Sequence, residues 1–293
     1  MAEMLVVCPV KDESSTLERA VKSLQDQTYK DWILFIQDNN SSDDTGNIAQ
    51  SYSLLDKRIK YNLSKQSLSA LDNWFQGLEF GISHAKPSLV MFLAGDDYLF
   101  DREYLETLVN RVKRADGIIP IIADESGRKK IKLKISRFRT LNRLRLSFSW
   151  RYVHVAMGLY KTEYISKHWK TLKIRASKID SSYYSSLDWA LGYLLLSGRV
   201  RGCKEARYTK TEKGIAYDSD YYTGVSSPKI ANITGERIPI WKLTNDHFNY
   251  QVGHIEEPKF LVFMYKITFA TAKILELLNS LLSSLKYKLQ GIS

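Results

Sequence analysis

The first hundred residues alternate short apolar runs with stretches of helical periodicity, and this alternation constrains the fold most strongly. Between the first two apolar runs, apolar residues from Leu17 to Leu24 recur three and four positions apart, the spacing of one helix face. Such alternation is typical of βαβ units and predicts an α/β fold, with a mostly parallel sheet flanked by helices. Strands are predicted at 4–10, 32–37, 59–63 and 89–93.

The remaining two thirds of the chain are less regular. We predict a strand over 152–160, a helix within 185–200 that stops at Ser197 and Gly198, and a largely irregular segment from 219 to 241. The tail at 259–289 is apolar with helical periodicity, but charged residues interrupt it, so it is a poor transmembrane candidate. We therefore expect two domains, the α/β domain at 1–218 and a C-terminal loop and amphipathic helical extension at 219–293.

Composition and cysteine usage predict a globular protein in a reducing compartment. The 293 residues are 44% hydrophobic, which is enough for a sizeable core. The N-terminus carries an acid where an export signal needs positive charge, and the two cysteines, Cys8 and Cys203, have neither metal-site spacing nor a disulfide framework. We expect a cytoplasmic location, with peripheral contact to a membrane as a further expectation.

The formal net charge of +11 is concentrated in one block. Residues 127–146 hold nine Lys or Arg and no acid. In one interpretation the block is a solvated edge strand that lysines protect from aggregation. In the other it attracts an anion: a sugar diphosphate, a lipid phosphate, an anionic membrane or nucleic acid.

Three polar segments follow predicted strands, PVKDES at 9–14, DNNSSDD at 38–44 and AGDD at 94–97. In open α/β sheets, ligands bind outside the carboxyl ends of the strands, so these segments predict a nucleotide site. The adjacent acids Asp96 and Asp97 could form a solvated turn. Alternatively, a cation screens their mutual repulsion.

Over about 4–215 the chain resembles the GT-A fold glycosyltransferases, specifically the inverting family-2 enzymes. The resemblance is carried by VVCPVKDESSTLERAVKSLQDQTYKDWILFIQDNNSSDDT at 6–45 and by the Gly-Asp-Asp form of the acidic motif. Asp12 stands where the family usually has Asn, and Glu13 keeps the acid. The resemblance implies a Rossmann-like GT-A sheet and metal-dependent transfer of a sugar, hexosyltransferase in type. The donor would be a nucleotide sugar, UDP-linked by this resemblance, and the acceptor a hydroxyl of a glycan or lipid-linked molecule.

The resemblance also implies roles for individual residues. Asp97 would bind Mn²⁺ or Mg²⁺, and Asp96 would contact the donor ribose or a metal-bound water. Asp38 could accept the imide proton of uracil, although an Asx turn that caps its loop is the alternative. Asn73 would face the donor, with a core or capping role equally open. The residues assigned to nucleotide binding are Pro9, Val10, Asp12, Glu13, Asp38, Asn73 and Asp96.

The resemblance places the catalytic base at the start of a helix, where Asp188 would deprotonate the acceptor hydroxyl. Leu187 departs from the usual first acid, so Asp180 stays open as the base. A helix N-terminal acid stabilised by the dipole is a further reading of Asp188, and it is compatible with catalysis.

Two other functions remain open at this point. A nucleic-acid-binding protein would use the basic block with its aromatic residues, and a nucleotidyltransferase would share a similar sheet. The second usually has a Gly-rich, basic first loop, which PVKDES lacks. The first leaves the acidic loops unexplained. The tail is expected to pack across the core or against a second subunit, with a membrane interface as the alternative.

Overall fold

The structure is a computed structural model, and it describes residues 3–125, 130–131, 155–177, 191, 194, 198–211, 229–231, 237–239 and 267. The N-terminal part has the elements that the sequence predicts. They are β1 (Met4–Val10), α1 (Leu17–Gln25), β2 (Trp32–Asp38), α2 (Thr45–Leu55), β3 (Ile59–Leu63), α3 (Ala70–Ala85) and β4 (Leu89–Phe92).

The later elements are shorter, apart from α5, β6 and β9. They are β5 (Tyr98–Leu99), α4 (Tyr104–Val112), β6 (Gly117–Asp124), β7 (Lys130–Ile131), β8 (Leu159–Lys161), α5 (Thr162–Ala176), β9 (Val200–Lys210), β10 (Lys229–Ala231) and β11 (Arg237–Pro239). A 3₁₀ turn at Val155–Met157 precedes β8, so within the described residues the strand predicted over 152–160 is found only at 159–160 and is wrong over 155–157. The Tyr160 hydroxyl donates to the Val155 carbonyl at 2.6 Å, which folds this segment back on itself.

One mixed sheet dominates the described part of the chain. Its order is β3-β2-β1-β4-β8-β6-β9-β5, with β7 paired to β6. The parallel pairings β1–β2, β1–β4, β2–β3 and β6–β9 are the long ones, whereas each antiparallel pairing joins only two or three residues of each strand. The predicted α/β fold with a mostly parallel sheet is therefore confirmed.

The core forms because apolar residues occupy both faces of the central strands. All seven residues of β1 are buried, and α1 buries the face predicted from its periodicity. Helices α1 and α2 contact each other, and the rule that such crossovers are right-handed assigns them to one face of the sheet and α3, which returns the chain to β4, to the other. Helix α3 packs against β1 and β2. Burying this surface on both sides fixes the strand ends in register and so positions the loops that follow them.

Several predictions concern residues outside the described ranges. They include the boundary at 218/219, most of the basic block and nearly all of the tail.

Cys8 and Cys203 are both buried free thiols. Among the helices that the described ranges contain, none combines the length and apolar character needed to cross a bilayer.

Candidate active site

The three polar loops lie together because β2, β1 and β4 are parallel neighbours in the sheet. The loops after β1 and β2 are joined by the Asn39 N–H, which donates to the Val10 carbonyl at 2.9 Å. On the other side, the Leu93 N–H donates to the Val7 carbonyl at 3.0 Å. The prediction that these segments meet at one sheet edge is confirmed.

The first two loops are held rigidly by bonds between them. The Glu13 N–H donates to Thr45 Oγ1 at 2.7 Å, and the Ser42 N–H donates to Asp12 Oδ1 at 2.6 Å. The bond from the Ser42 backbone lowers the pKa of Asp12. Asp12 and Asn40 both have positive φ, 55° and 58°, as tight turns often require of short polar residues. Asp12 thus ties the loops together while its side chain stays exposed.

Asp38 is almost fully buried, and both of its oxygens have protein partners. Oδ1 accepts the backbone N–H of Ser41 at 2.9 Å and the Ser41 hydroxyl at 2.7 Å, while Oδ2 accepts the Tyr61 hydroxyl at 3.0 Å. Burial and the bond to Asp38 raise the pKa of Tyr61 to about 12. This geometry is the loop-capping arrangement that the sequence left as the alternative for Asp38.

Three other residues assigned to nucleotide binding, Pro9, Val10 and Asn73, are buried. Pro9 and Val10 are buried at the end of β1, where they pair with Gln37 and Asp38 of β2. The Asn73 amide donates to the Gln37 carbonyl at 3.3 Å, and Asn73 Oδ1 is a buried acceptor without a hydrogen-bond partner. Asn73 therefore fastens α3 to the end of β2, next to the second loop.

The third loop is a turn. The Asp97 N–H donates to the Ala94 carbonyl at 3.1 Å, and the Ala94 N–H donates to the Tyr208 hydroxyl at 3.1 Å. The turn gives the two acids different surroundings. Asp97 is 1% exposed, whereas Asp96 is half-buried and its carboxylate has no hydrogen-bond partner among the described residues.

Asp97 is anchored by the end of β9. Its Oδ1 accepts the Thr211 N–H at 3.1 Å, and Lys210 Nζ lies 3.6 Å from Oδ2. Among the residues that the structure describes, Oδ2 has no hydrogen-bond partner. Burial raises the pKa of Asp97 above its ordinary value, and the Lys210 charge only partly opposes this. The sequence singled out no role for Lys210, because nothing in its local spacing reveals a partner 113 positions earlier in the chain.

Glu13 brings a third carboxylate to the same place. A Cβ added at Gly95 would lie 1.9 Å from Glu13 Oε2, so only glycine leaves room for this carboxylate. Glu13 Oε2 is buried and has no hydrogen-bond partner in the part of the chain that the structure describes. Burial, together with the charges of Asp96 and Asp97, raises the pKa of Glu13 well above its ordinary value. Glu13, Asp96 and Asp97 therefore form one acidic cluster at the sheet edge.

The acidic cluster fits a hard divalent cation in its donor chemistry. Mn²⁺ and Mg²⁺ prefer carboxylate oxygens, and the cluster contains two buried oxygens without hydrogen bonds and one partnerless carboxylate. No three metal-capable side chains converge as a complete ligand set within the described residues. Further ligands would have to come from substrate phosphate, from water or from outside those residues, as is usual for Mg²⁺.

Arg19 is a second site residue that no local sequence pattern identifies. Its guanidinium donates to Glu125 at 2.6 Å, to the Thr211 hydroxyl and to the Asp96 carbonyl at 3.5 Å, and it lies 4.5 Å from the centre of the Tyr98 ring. It thereby joins α1 to the third loop and to the ends of β6 and β9. From sequence it is indistinguishable from a solvated helix residue, since its partners lie at least 77 positions away.

The proposed catalytic bases Asp188 and Asp180 lie outside the described residues, as do the side chains of the basic block. Their roles stay predictions. The described site therefore comprises the three loops, the acidic cluster and the end of β9.

Comparison with known proteins gives a consistent picture. A sequence model of Glycosyl transferase family 2 matches residues 5–169. A GalNAc(5)-diNAcBac-PP-undecaprenol beta-1,3-glucosyltransferase of Campylobacter jejuni is 35% identical over 115 residues, which are 38% of this chain and 35% of the relative. Glycosyltransferase GlyG of Streptococcus pneumoniae is 26% identical over 122 residues, 41% of this chain and 39% of GlyG. The matches thus span well under half of each relative's length.

Solved structures share the fold. TarS residues 1–349 of S. aureus superpose with a TM-score of 0.62 at 13% identity, covering 92% of this chain and 70% of TarS. A mannosyltransferase of Pyrobaculum calidifontis, solved with GDP-Man and Mn²⁺, has a TM-score of 0.51 at 12% identity, covering 93% and 75%. At these identities the likeness establishes a GT-A type of fold and nothing finer.

Proposed function

Because this chain belongs to glycosyl transferase family 2, we propose that it transfers a sugar from a nucleotide-sugar donor, UDP-linked, to a hydroxyl group of a glycan or lipid-linked acceptor. The observation that carries the proposal is the acidic cluster of Glu13, Asp96 and Asp97 at the sheet edge where the loops after β1, β2 and β4 meet. Structures of TarS with UDP and with UDP-GlcNAc support a nucleotide sugar as the donor class.

In this proposal the loops after β1 and β2 enclose the nucleotide, and the acidic cluster lies beside the diphosphate. Asp96 has a partnerless, half-exposed carboxylate, so it can accept a ribose hydroxyl or a metal-bound water without breaking an existing bond. Asp38 acts on the nucleotide indirectly, because its oxygens already hold Ser41 and Tyr61.

Asp97 and Asp96 would hold Mn²⁺ or Mg²⁺, with Asp97 as the principal ligand. When bound, the cation would offset the negative charge that develops on the departing diphosphate. Lys210, beside Asp97, adds a fixed positive charge at the same place. The Mn²⁺ in the mannosyltransferase structure supports a divalent ion of this kind in the fold.

The chemical step would be a direct displacement with inversion. A carboxylate, Asp188 or Asp180, would take the proton of the acceptor hydroxyl as its oxygen attacks the anomeric carbon. The bond from that carbon to the diphosphate oxygen breaks, and the diphosphate leaves with the electron pair. The name of the Campylobacter relative, which refers to a diphosphate-linked undecaprenol, supports a lipid-linked acceptor that is itself anionic.

Isothermal titration calorimetry with a panel of UDP-sugars and GDP-sugars in Mn²⁺ tests the proposal. We expect saturable binding of at least one UDP-sugar to the wild-type chain. Asp96→Asn should weaken it at least roughly tenfold, the usual scale for losing a charge-assisted hydrogen bond. Asp96 is the better test than Asp97, because its carboxylate holds no other residue in place.

Asp26→Asn is the matched control, since Asp26 is exposed at the end of α1 and lies away from the three loops. It makes the same chemical change and should leave binding intact. The proposal fails if no donor in the panel binds, or if Asp96→Asn binds as well as Asp26→Asn.

A further inference from the structure

A concave basic surface lies at the end of the sheet opposite the candidate active site, where β4, β6 and β9 begin. It is a cavity of about 490 Å³ between the end of α4 and the start of β9. Gly117 at the start of β6 pairs with Val200 and with Tyr160, and Tyr160 pairs with Val90 at the start of β4. The cavity is therefore level with the beginning of β4, whereas the three loops follow strand ends.

The lining of this α4–β9 cavity is strongly cationic. One carboxylate, Glu205, lines it, which leaves a formal net charge of +4 from five cations and one acid. All six charged side chains are exposed to solvent. The cations are Arg111, Lys113 and Arg114 from the end of α4, and Arg201 and Lys204 from β9.

Only part of this charge is compensated by neighbouring protein groups. Arg111 pairs with Glu205 at 2.7 Å, and Lys113 donates to the Asn110 side chain at 3.1 Å. In the portion of the chain that the structure describes, Arg114, Arg201 and Lys204 have no carboxylate partner. Glu205 is engaged by Arg111, and the side chains of Arg201 and Lys204 make no ion pair within the described residues.

A solvated helix end accounts for some of these cations but not for all. A helix C-terminus carries roughly half a negative charge, which favours the basic residues at the end of α4. Arg201 and Lys204 belong to a strand and gain nothing from that dipole. Arg201 pairs in regular register with Ile118, whereas Lys204 lies in an irregularity, because the β6–β9 register passes from Ile119↔Gly202 to Ile121↔Arg207. Bulges of this kind redirect side chains and are common beside binding sites.

We propose that the α4–β9 cavity binds a phosphate-bearing anion, as a site separate from the donor site. One guanidinium group can donate two parallel hydrogen bonds to two oxygens of a phosphate. The guanidinium groups of Arg114 and Arg201 could each bind a phosphate in this way. The volume lies within the usual range for small-molecule pockets. The phosphate could belong to a free small molecule or to a phospholipid headgroup. This inference does not rest on the proposed transferase function.

The test compares two probes on the full chain in EDTA, so that metal-dependent binding at the acidic cluster does not contribute. Inorganic pyrophosphate is titrated by calorimetry, and vesicles containing one quarter phosphatidylglycerol are used in flotation. Pyrophosphate binding alone identifies a soluble ligand, and vesicle binding identifies a headgroup. The variant is Arg114→Gln/Arg201→Gln/Lys204→Gln, which should weaken whichever binding occurs at least roughly tenfold.

The control is Lys57→Gln/Lys60→Gln/Lys170→Gln, which removes the same charge from exposed positions elsewhere. Wild type and this control should bind alike. The inference is overturned if neither probe binds the wild type, or if the two triple variants lose binding equally, since a loss of net charge alone would then explain the effect. Far-UV circular dichroism of both variants checks that they fold.

Discussion

Gly95→Ala should destabilise the fold and open the acidic cluster. The added Cβ would lie 1.9 Å from Glu13 Oε2 and 2.6 Å from Val10 Cγ1, whereas ordinary contact begins near 3.4 Å. The Glu13 carboxylate would have to retreat by about 1.5 Å, the difference between 3.4 and 1.9 Å. Its backbone cannot follow easily, because the Glu13 N–H is bonded to Thr45.

The size of the effect follows from two opposing contributions. Overpacking in a tight site costs about 1–3 kcal/mol. Gly95 does not have a positive φ, so alanine would also gain about 0.4–1 kcal/mol by restricting the unfolded chain. The unfolding free energy should therefore fall by about 1–2 kcal/mol. Each kcal/mol corresponds to a decrease of about 2–4 °C in the melting temperature of a chain of this size class.

Urea denaturation of four proteins separates this mechanism from a general loss of stability. They are the wild type, Gly95→Ala, Glu13→Ala and the double variant. Removing the Glu13 carboxylate should relieve the closer clash and lower the cost of Gly95→Ala by about 1 kcal/mol, a coupling expected only of residues in contact. Equal costs in the two backgrounds would refute the reasoning.

Three further predictions concern the same sheet edge. Tyr61→Phe removes the bond to Asp38 and should lower stability by about 1 kcal/mol at neutral pH. The folded-state pKa of Tyr61 is raised to about 12, so the stability that Tyr61 contributes is complete below pH 10 and is lost as the pH rises toward 12. The urea midpoints of the wild type and the variant should therefore converge over that range. Lys210→Gln should weaken UDP binding several-fold in EDTA, measured by calorimetry with Lys57→Gln as control, and unchanged affinity would contradict a role at the diphosphate. Chelating divalent ions should lower the affinity for UDP-sugars more in the wild type than in Asp97→Ala, and an equal decrease would argue against metal binding by Asp97.

Much of the N-terminal sheet could be predicted because its elements are locally encoded. The run at 59–63 became β3 over Ile59–Leu63, and the buried face of α1 follows the predicted spacing from Leu17 to Leu24. Helix α1 starts at Leu17, the first residue of that spacing. The segment between Glu13 and Leu17 bonds the second loop through the Ser14 N–H.

The site was only partly predictable, since its contacts depend on topology. Acids that directly follow strands could be placed, because parallel strands end at one edge. Lys210 and Arg19 could not, since a lysine near Asp97 requires β9 to pair beside β6 and β5, which no local pattern encodes. The separate surroundings of Asp96 and Asp97 arise from a turn between Ala94 and Asp97.

Anomalous diffraction at the manganese edge, from crystals grown with UDP and Mn²⁺, tests the central claim most directly. We expect one strong peak about 2 Å from a carboxylate oxygen of Asp97 or Asp96, bridging to the diphosphate, with the uridine between the loops after β1 and β2. A nucleotide bound elsewhere, or a manganese peak remote from the acidic cluster, would contradict the account.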